Sequence, residues 1–335
     1  MSSMHLQVEN THCTAGQLIQ GCVSWTPEKE SKSICRLELE LLGYEQVTSN
    51  ETETVTEGNL HPVTRQRIEK EILVKFPYTL HSFAHKSDAP SNEEKDLEIE
   101  KEENELSYEY PFAWELPSSL PSSFHFTTTH QTFEIAYQIT ARAISTQGQV
   151  LFHETVPLHL QAARCIPPGQ SVALTPRKVN ILTNVVFPRG ILHWGWSTPS
   201  DVVTTGSTIK ITLQGENCSQ VDLKDFVVRL METIIWKSVG SDKIEHKTER
   251  TIADATLEVN GRREWLSGNP GAVMAPPTTV FLTIPDDNIT CESYPSGNIL
   301  RVEHSLVVIA QTATDRTTNP RLSHPVYLVR GHDAE

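Results

Sequence analysis

The sequence predicts an all-β protein built as two tandem β-sandwich domains, and three observations carry that expectation. Apolar residues recur at every second position in run after run, which is the spacing of half-buried strands. Proline and glycine, 20 and 16 of them in 335 residues, break those runs at turns. The later part of the chain also repeats the earlier part at a nearly fixed distance. Length agrees, because 335 residues suit two cores of about 150 to 170 residues each.

Taken in order, His5–Val8 is a short strand and residues 16–25, opened by Gly16, form a second. Across Ile34–Tyr44, Leu37, Leu39 and Leu41 alternate with Glu38 and Glu40, giving one buried and one acidic face. The polar segment Val47–Thr64 reads as a loop, followed by a strand over Ile68–Phe76. Lys86–Glu105 holds nine acids against three lysines. Within it Ser91-Asn92-Glu93-Glu94 has the form of a capping box, but Leu97 and Ile99 lie two apart, so a solvated acidic insert fits better than a capped helix. Phe112, Trp114 and Leu116 share one strand face, and Pro117 and Pro121 end that strand in a fixed corner because each withholds a backbone donor. Phe124 and Phe126 restart the alternation, and Phe133, Ile135, Tyr137 and Ile139 continue it in the next strand. Val156–Leu160 is another strand, after which Gln161–Gln170 breaks the pattern. A linker over residues 161–175 therefore separates a domain of residues 1–160 from one of residues 176–330.

The strand opened by Gly206 repeats the one opened by Gly16 at a distance of 190 residues. Pro285 follows Pro117 at 168, Val302 follows Ile135 at 167, and Pro325 follows Pro157 at 168. The first half therefore spends about 23 more residues between its early and late strands, and the acidic insert accounts for most of them. The expected cores are Leu37, Leu39, Leu41, Phe112, Trp114, Ile135 and Tyr137 in the first half, and Ile209, Ile211, Ile284, Val302 and Leu306 in the second.

The six cysteines are scattered with no C-x-x-C pair, the pattern of free thiols in a reducing compartment. The first residues lack a signal peptide's charged and apolar regions, and no 18-residue apolar run occurs, so a cytoplasmic location is expected. The sequons at Asn50, Asn217 and Asn288 then carry no glycan. Residues 1–160 hold 11 Lys+Arg against 24 Asp+Glu, a net of −13, while residues 161–335 hold 17 against 18. That charge opposes binding to nucleic acid or directly to anionic lipid, so peripheral membrane association is expected through partners only.

No Gly-x-Ser-x-Gly elbow, P-loop or dinucleotide fingerprint occurs, so no catalytic or cofactor-binding residue is assigned and an enzyme is not expected. His81 and His85 lie four apart but lack both an accompanying Glu and a helical stripe, which leaves no metal site. His304, between Val302 and Leu306, occupies the position of Tyr137 in the first half and reads as a packing residue. Trp194 and Trp196 share one strand face and read as core. Leu41-Leu42-Gly43-Tyr44-Glu45 matches a clathrin-box pattern, but its leucines continue a strand.

Three motifs together carry a resemblance: the glycine-opened strand Gly16–Val23, the aromatic strand and Leu-Pro corner of Tyr110–Phe124, and the run Gly206–Ser219 ending in Asn217-Cys218-Ser219. In that order and spacing, over roughly Leu6–Val329, the chain resembles the arrestin family, and its alpha-arrestin-like branch most. The resemblance implies two immunoglobulin-like β-sandwiches, arrestin-like N- and C-domains in a cup shape. It further implies a cytosolic adaptor between membrane-protein cargo tails and trafficking, endocytosis or ubiquitination machinery. The Pro-Pro-x-Tyr motif that docks WW-domain ubiquitin ligases is missing, since Pro167-Pro168 precedes Gly169 and Pro276-Pro277 precedes Thr278. A structural subunit of a retromer-like sorting coat is the nearest alternative, and an extracellular β-sandwich binding protein is the alternative of another class. The segments Val47–Thr64 and Asp286–Asn298 are the expected partner contacts, with Thr48, Glu51, Arg65, Arg67, Asp286, Asp287 and Asn288 as candidate binding residues.

Overall fold

The computed structural model describes residues 3–26, 34–55, 61–83, 107–163, 168–184, 186–237, 245–259, 261–262, 265–266, 276–286, 292–314 and 316–331. The chain forms two compact units, residues 1–164 and 165–335. The described residues are all-β, without an α-helix, and none of their segments is a helix long and apolar enough to cross a membrane. The acidic insert Lys86–Glu105 lies outside the described residues.

In the first unit β1 (Ser3–Val8), β3 (Leu18–Thr26) and β6 (Tyr108–Glu115) make a three-stranded sheet in the order β1-β3-β6. The larger sheet runs β2 (His12–Thr14), β9 (Val150–Gln161), β8 (Gln131–Ser145), β4 (Ile34–Val55), β5 (His61–Ser82), with β7 (Phe124–Thr127) paired to β8. The expected alternation holds: Leu37, Leu39, Leu41, Phe133, Ile135, Tyr137 and Ile139 are buried, as are Phe112 and Leu116. Trp114, at the edge strand β6, is half-buried and meets Tyr78 edge-on at 6.3 Å.

The second unit packs a four-stranded sheet, β10 (Val172–Thr183), β11 (Phe187–Thr198), β13 (Thr208–Ser219) and β16 (Thr278–Thr283), on a five-stranded one. The latter runs β12 (Val202–Thr204), β18 (Arg321–Val329), β17 (Leu300–Thr312), β14 (Leu223–Lys237), β15 (Glu245–Glu258). Trp194, Trp196, Ile211 and Leu213 from one sheet meet Phe226, Leu230 and Leu306 from the other in a single core. β10 begins at Val172, inside the segment 161–175 read as a linker. The Asn-x-Ser pattern at Asn217 is a turn lock: its buried amide donates to the carbonyls of Val221 (2.8 Å) and Trp265 (3.0 Å) and accepts from the Ser219 amide and hydroxyl.

One expectation fails. Val47–Thr64 is not a loop, because β4 continues to Val55 and β5 starts at His61, pairing Thr48 with Ile68, Glu51 with Arg65 and Val55 with His61 in one ribbon. Polarity argued against a core but not against a strand. Thr48, Thr52, Thr54, Val55, Val63 and Thr64 are β-branched, and a two-stranded ribbon pairs the facing half of its backbone groups and leaves the outer half to water, which polar composition does not oppose.

The internal repeat is physical. In each unit a three-residue strand pairs in parallel with the last strand, Cys13 opposite Leu160 and Val203 opposite Leu328. Each short strand ends in a glycine turn, Gly16 at φ 84° and Gly206 at φ 70°. The Gly16 amide donates to Leu116 O (3.1 Å) and the Leu116 amide to Gln17 O (2.9 Å), while the Gly206 amide donates to Ile284 O (3.0 Å) and the Ile284 amide to Ser207 O (2.9 Å). The Leu-Pro corner and its Ile-Pro counterpart are thus clasped to the glycine turns.

Left-handed backbone suits glycine, and to a lesser degree asparagine. A Cβ at Gly206 would stand 2.6 Å from Asp286 Oδ2, whereas one at Gly148 (φ 79°) meets nothing within 4 Å. The exposed Asp286 carboxylate can swing aside, so Gly206→Asn and Gly148→Asn should both be near neutral, whereas Gly43→Ala, whose Cβ would stand 2.5 Å from the buried Tyr137 ring and 2.6 Å from Val74, should cost at least about 1 kcal/mol from overpacking. Equal melting temperatures in Gly43→Ala and the wild-type chain would show that this contact relaxes without cost.

Candidate functional site

The β4–β5 ribbon presents its residues on two faces. Thr48, Ile68, Lys70, Ile72 and Tyr44 fall on the outer one, while Arg67, Glu69, Glu71, Val47 and Glu45 fall on the one that turns inward, where Val47 and Glu45 are buried. The basic residues near position 67 consequently do not converge. Arg67 Nε binds Glu69 Oε1 at 2.8 Å, and Lys70 Nζ sits 3.3 Å from the centroid of the Tyr44 ring on the opposite face. Thr48 Oγ1 accepts from Gln46 Nε2 at 3.2 Å. Glu51 and Arg65 are rungs of the ladder. β5 closes one end of its sheet and exposes Ile68 and Ile72 by more than half, so the ribbon offers a strand edge with apolar side chains beside it.

The second candidate segment splits. Asp286 lies over the Gly206 turn, and Asp287 and Asn288 lie outside the described residues. Glu292–Tyr294 enters the five-stranded sheet as a wedge. Pairing of β17 with β18 stops at His304–Val326, and beyond it Tyr294 pairs with Val302 while the Ser293 amide donates to Leu328 O (3.0 Å).

Ser293 Oγ accepts the Leu328 amide at 2.8 Å and shares a hydrogen bond with His304 Nδ1 at 2.9 Å. His304 Nε2 faces Glu232 Oε2 at 3.5 Å, and Glu232 Oε1 takes Arg250 Nε at 2.6 Å. Serine, histidine and carboxylate stand in the order of a nucleophilic triad, but the first unit shows what the arrangement is built from. There Ser123 donates its amide to Leu160 O (2.7 Å) and accepts the Leu160 amide on Oγ (2.9 Å), and Tyr137, in the place of His304, donates to Pro121 O (2.9 Å). The serine is a latch on the last strand in both units. Tyr137 fills the space left by Gly43, whose Cβ would meet its ring at 2.5 Å. In the second unit the polar set Glu232–Arg250–His304 occupies that place. His304 is therefore a buried packing residue, but a hydrogen-bonded one.

Sequence reasoning missed Glu232, Arg250 and Ser293. The available signal was a charged residue, Glu232, in phase with Leu230 and Ile234 on the apolar face of β14. Burial pushes the Glu232 carboxyl up, yet the donors His304 and Arg250 facing it more than offset this and hold it below its ordinary value.

A sequence model of the arrestin (or S-antigen) N-terminal domain matches residues 4–151, and one of the arrestin (or S-antigen) C-terminal domain matches residues 188–330. The chain belongs to the arrestin family. Comparison with curated proteins found no relative. Arrestin-family proteins are in general non-catalytic adaptors and scaffolds in trafficking, and both arrestin domains are present here as β-sandwiches. The glycine clasp and the serine latch occur once in each arrestin domain.

A carboxyl whose folded pKa is depressed stabilises the fold above its unfolded pKa and stops doing so as pH falls through the folded value. Unit 2 should therefore lose stability from about pH 4.5 downward as Glu232 takes up its proton. Arg250→Met should cost about 3 kcal/mol at neutral pH, since it strands a buried carboxylate, and should shrink the acid-side loss. Denaturant titrations of both proteins across that range check this; an unchanged acid limb in the variant would remove Glu232 from the account.

Proposed function

We propose that this arrestin-family chain is a non-catalytic cytosolic adaptor that links tails of membrane-protein cargo to trafficking machinery, and that it selects unphosphorylated or basic tails. The observation that carries the selectivity is the state of the basic residues in the first domain. A phosphate, with about −1.5 to −2 charges, binds well where several cations converge. Arg67 is committed to Glu69, Lys70 lies over Tyr44 on the opposite face, and the half-chain around them sums to −13. A cationic segment is favoured by that field.

The place of β5 at the end of its sheet, with no strand on its outer side among the described residues, supports recognition of an extended segment, which could add as a further strand and supply its own backbone hydrogen bonds. The candidate contacts Thr48, Glu51, Arg65 and Arg67 lie on this ribbon, and Asp286, Asp287 and Asn288 belong to the segment leading to the wedge in the second domain. Without a Pro-Pro-x-Tyr motif, any coupling to ubiquitination runs through another partner.

The test is a matched pair of cargo-tail peptides, phosphorylated and not, titrated into the full chain at two salt concentrations. The unphosphorylated member should bind at least about tenfold more tightly. Tighter binding of the phosphorylated member, weakened by salt and abolished by Arg65→Ala with Arg67→Ala, overturns the reading.

A further inference from the structure

Where β17 and β18 part around the wedge, the second unit holds a cavity of about 280 Å³. Its chemistry is one-sided. Glu303 supplies a carboxylate with no ion-pair partner among the described residues, and Thr233, Ser305 and Ser323 supply hydroxyls with no hydrogen bond among them. Thr233 and Glu303 are direct neighbours across β14 and β17, and Ser305 faces Pro325 across β17 and β18, so these groups share the outer face of the sheet. No lysine or arginine among the described residues lines the cavity. Arg301, two residues before Glu303, is bound to Glu245 at 2.9 Å. The remaining wall holds Pro295, Pro325 and the ring of Tyr327, which is 43% exposed, together with the hydrogen-bonded pair Ser293 and His304.

We infer that this cavity takes the side chain of a lysine or arginine from an extended cargo segment. The inference rests on the adaptor reading above and adds a second contact to it, in the other domain. A long cationic side chain needs an apolar wall for its methylene stem and acceptors for its head. Pro295, Pro325 and the Tyr327 ring provide the first, and the carboxylate and hydroxyls provide the second. The Tyr327 face adds attraction for a cation. An anionic side chain would meet the Glu303 carboxylate, and His304, the one basic side chain among the described lining residues, is already turned to Ser293 and Glu232, so a phosphorylated residue is rejected here as well. An uncharged aliphatic side chain would fill the apolar wall but leave the acceptors desolvated and unpaired.

The experiment uses the isotope-labelled full chain and two probes of the same stem, Nα-acetyl-lysine methylamide and Nα-acetyl-norleucine methylamide, followed by amide chemical shifts. Lysine should perturb Glu303, Ser305, Ser323 and Tyr327, and norleucine should bind about tenfold more weakly. Glu303→Gln, at an exposed position, should abolish the lysine perturbation without changing the melting temperature, and Ser305→Val should weaken it. Equal binding of both probes, perturbation elsewhere only, or an unchanged response in Glu303→Gln overturns the inference. A parallel titration of an unphosphorylated cargo-tail peptide separates the two readings. Tail binding without the lysine response sinks the cavity alone, whereas loss of tail binding in the wild-type chain sinks the adaptor reading.

Discussion

Two pairs of backbone hydrogen bonds, Gly16 and Gln17 with Leu116, and Gly206 and Ser207 with Ile284, fix where each domain changes sheet. The residues before each glycine belong to the larger sheet of that unit and those after it to the smaller one. A chain that crosses between layers leaves its ladder partners at the crossing, and the backbone groups of the buried residues Leu116 and Ile284 beside it must be satisfied locally. The clasp does so by borrowing the end of a third strand, β6 or β16, and the proline that follows stops that strand from continuing past the point of contact. Layer spacing, the position of the Leu-Pro corner and the docking of the last strand all follow from this joint.

On that shared frame the two domains differ in the number of strands per sheet and, at one equivalent buried site, in the kind of packing. Gly43 and Tyr137 meet with the tyrosine ring replacing an absent side chain, a solution made of packing. Glu232, Arg250 and His304 solve the same steric problem with charge. The polar version pairs a fully buried carboxylate with a guanidinium, which makes this part of the second domain sensitive to acid in a way the first domain's counterpart is not. It also leaves the strands on either side free to part, and the wedge of Glu292–Tyr294 enters at that parting.

Much of this was legible in the sequence. Alternation placed Leu37, Leu39, Leu41, Ile135, Ile211 and Val302 in the cores because a period of two has only one buried face, and equal offsets exposed the repeat. The ribbon of residues 47–64 was not legible, since polar composition reports on burial and not on pairing, and beyond Val47 its aliphatic residues Val55, Leu60 and Val63 set no period of two. The polar set around His304 was half legible. A histidine in phase with core residues is visible in one dimension, but its partners Ser293 and Glu232 lie 11 and 72 residues away and are joined to it only by sheet register.

The parallel pairing of each short second strand with the final strand also bears on the order of events during synthesis. Val202–Thr204 finds its partner only when Tyr327–Val329 has been made, 125 residues later in register, and His12–Thr14 waits 147 residues for His159–Gln161, so neither domain closes its larger sheet until nearly all of it has been synthesised. A chain emerging from the ribosome can therefore bury its first core while the second still presents an unfinished sheet edge. Each arrestin domain therefore stays open to chaperones for more than 120 residues of its own synthesis, the first for longer than the second.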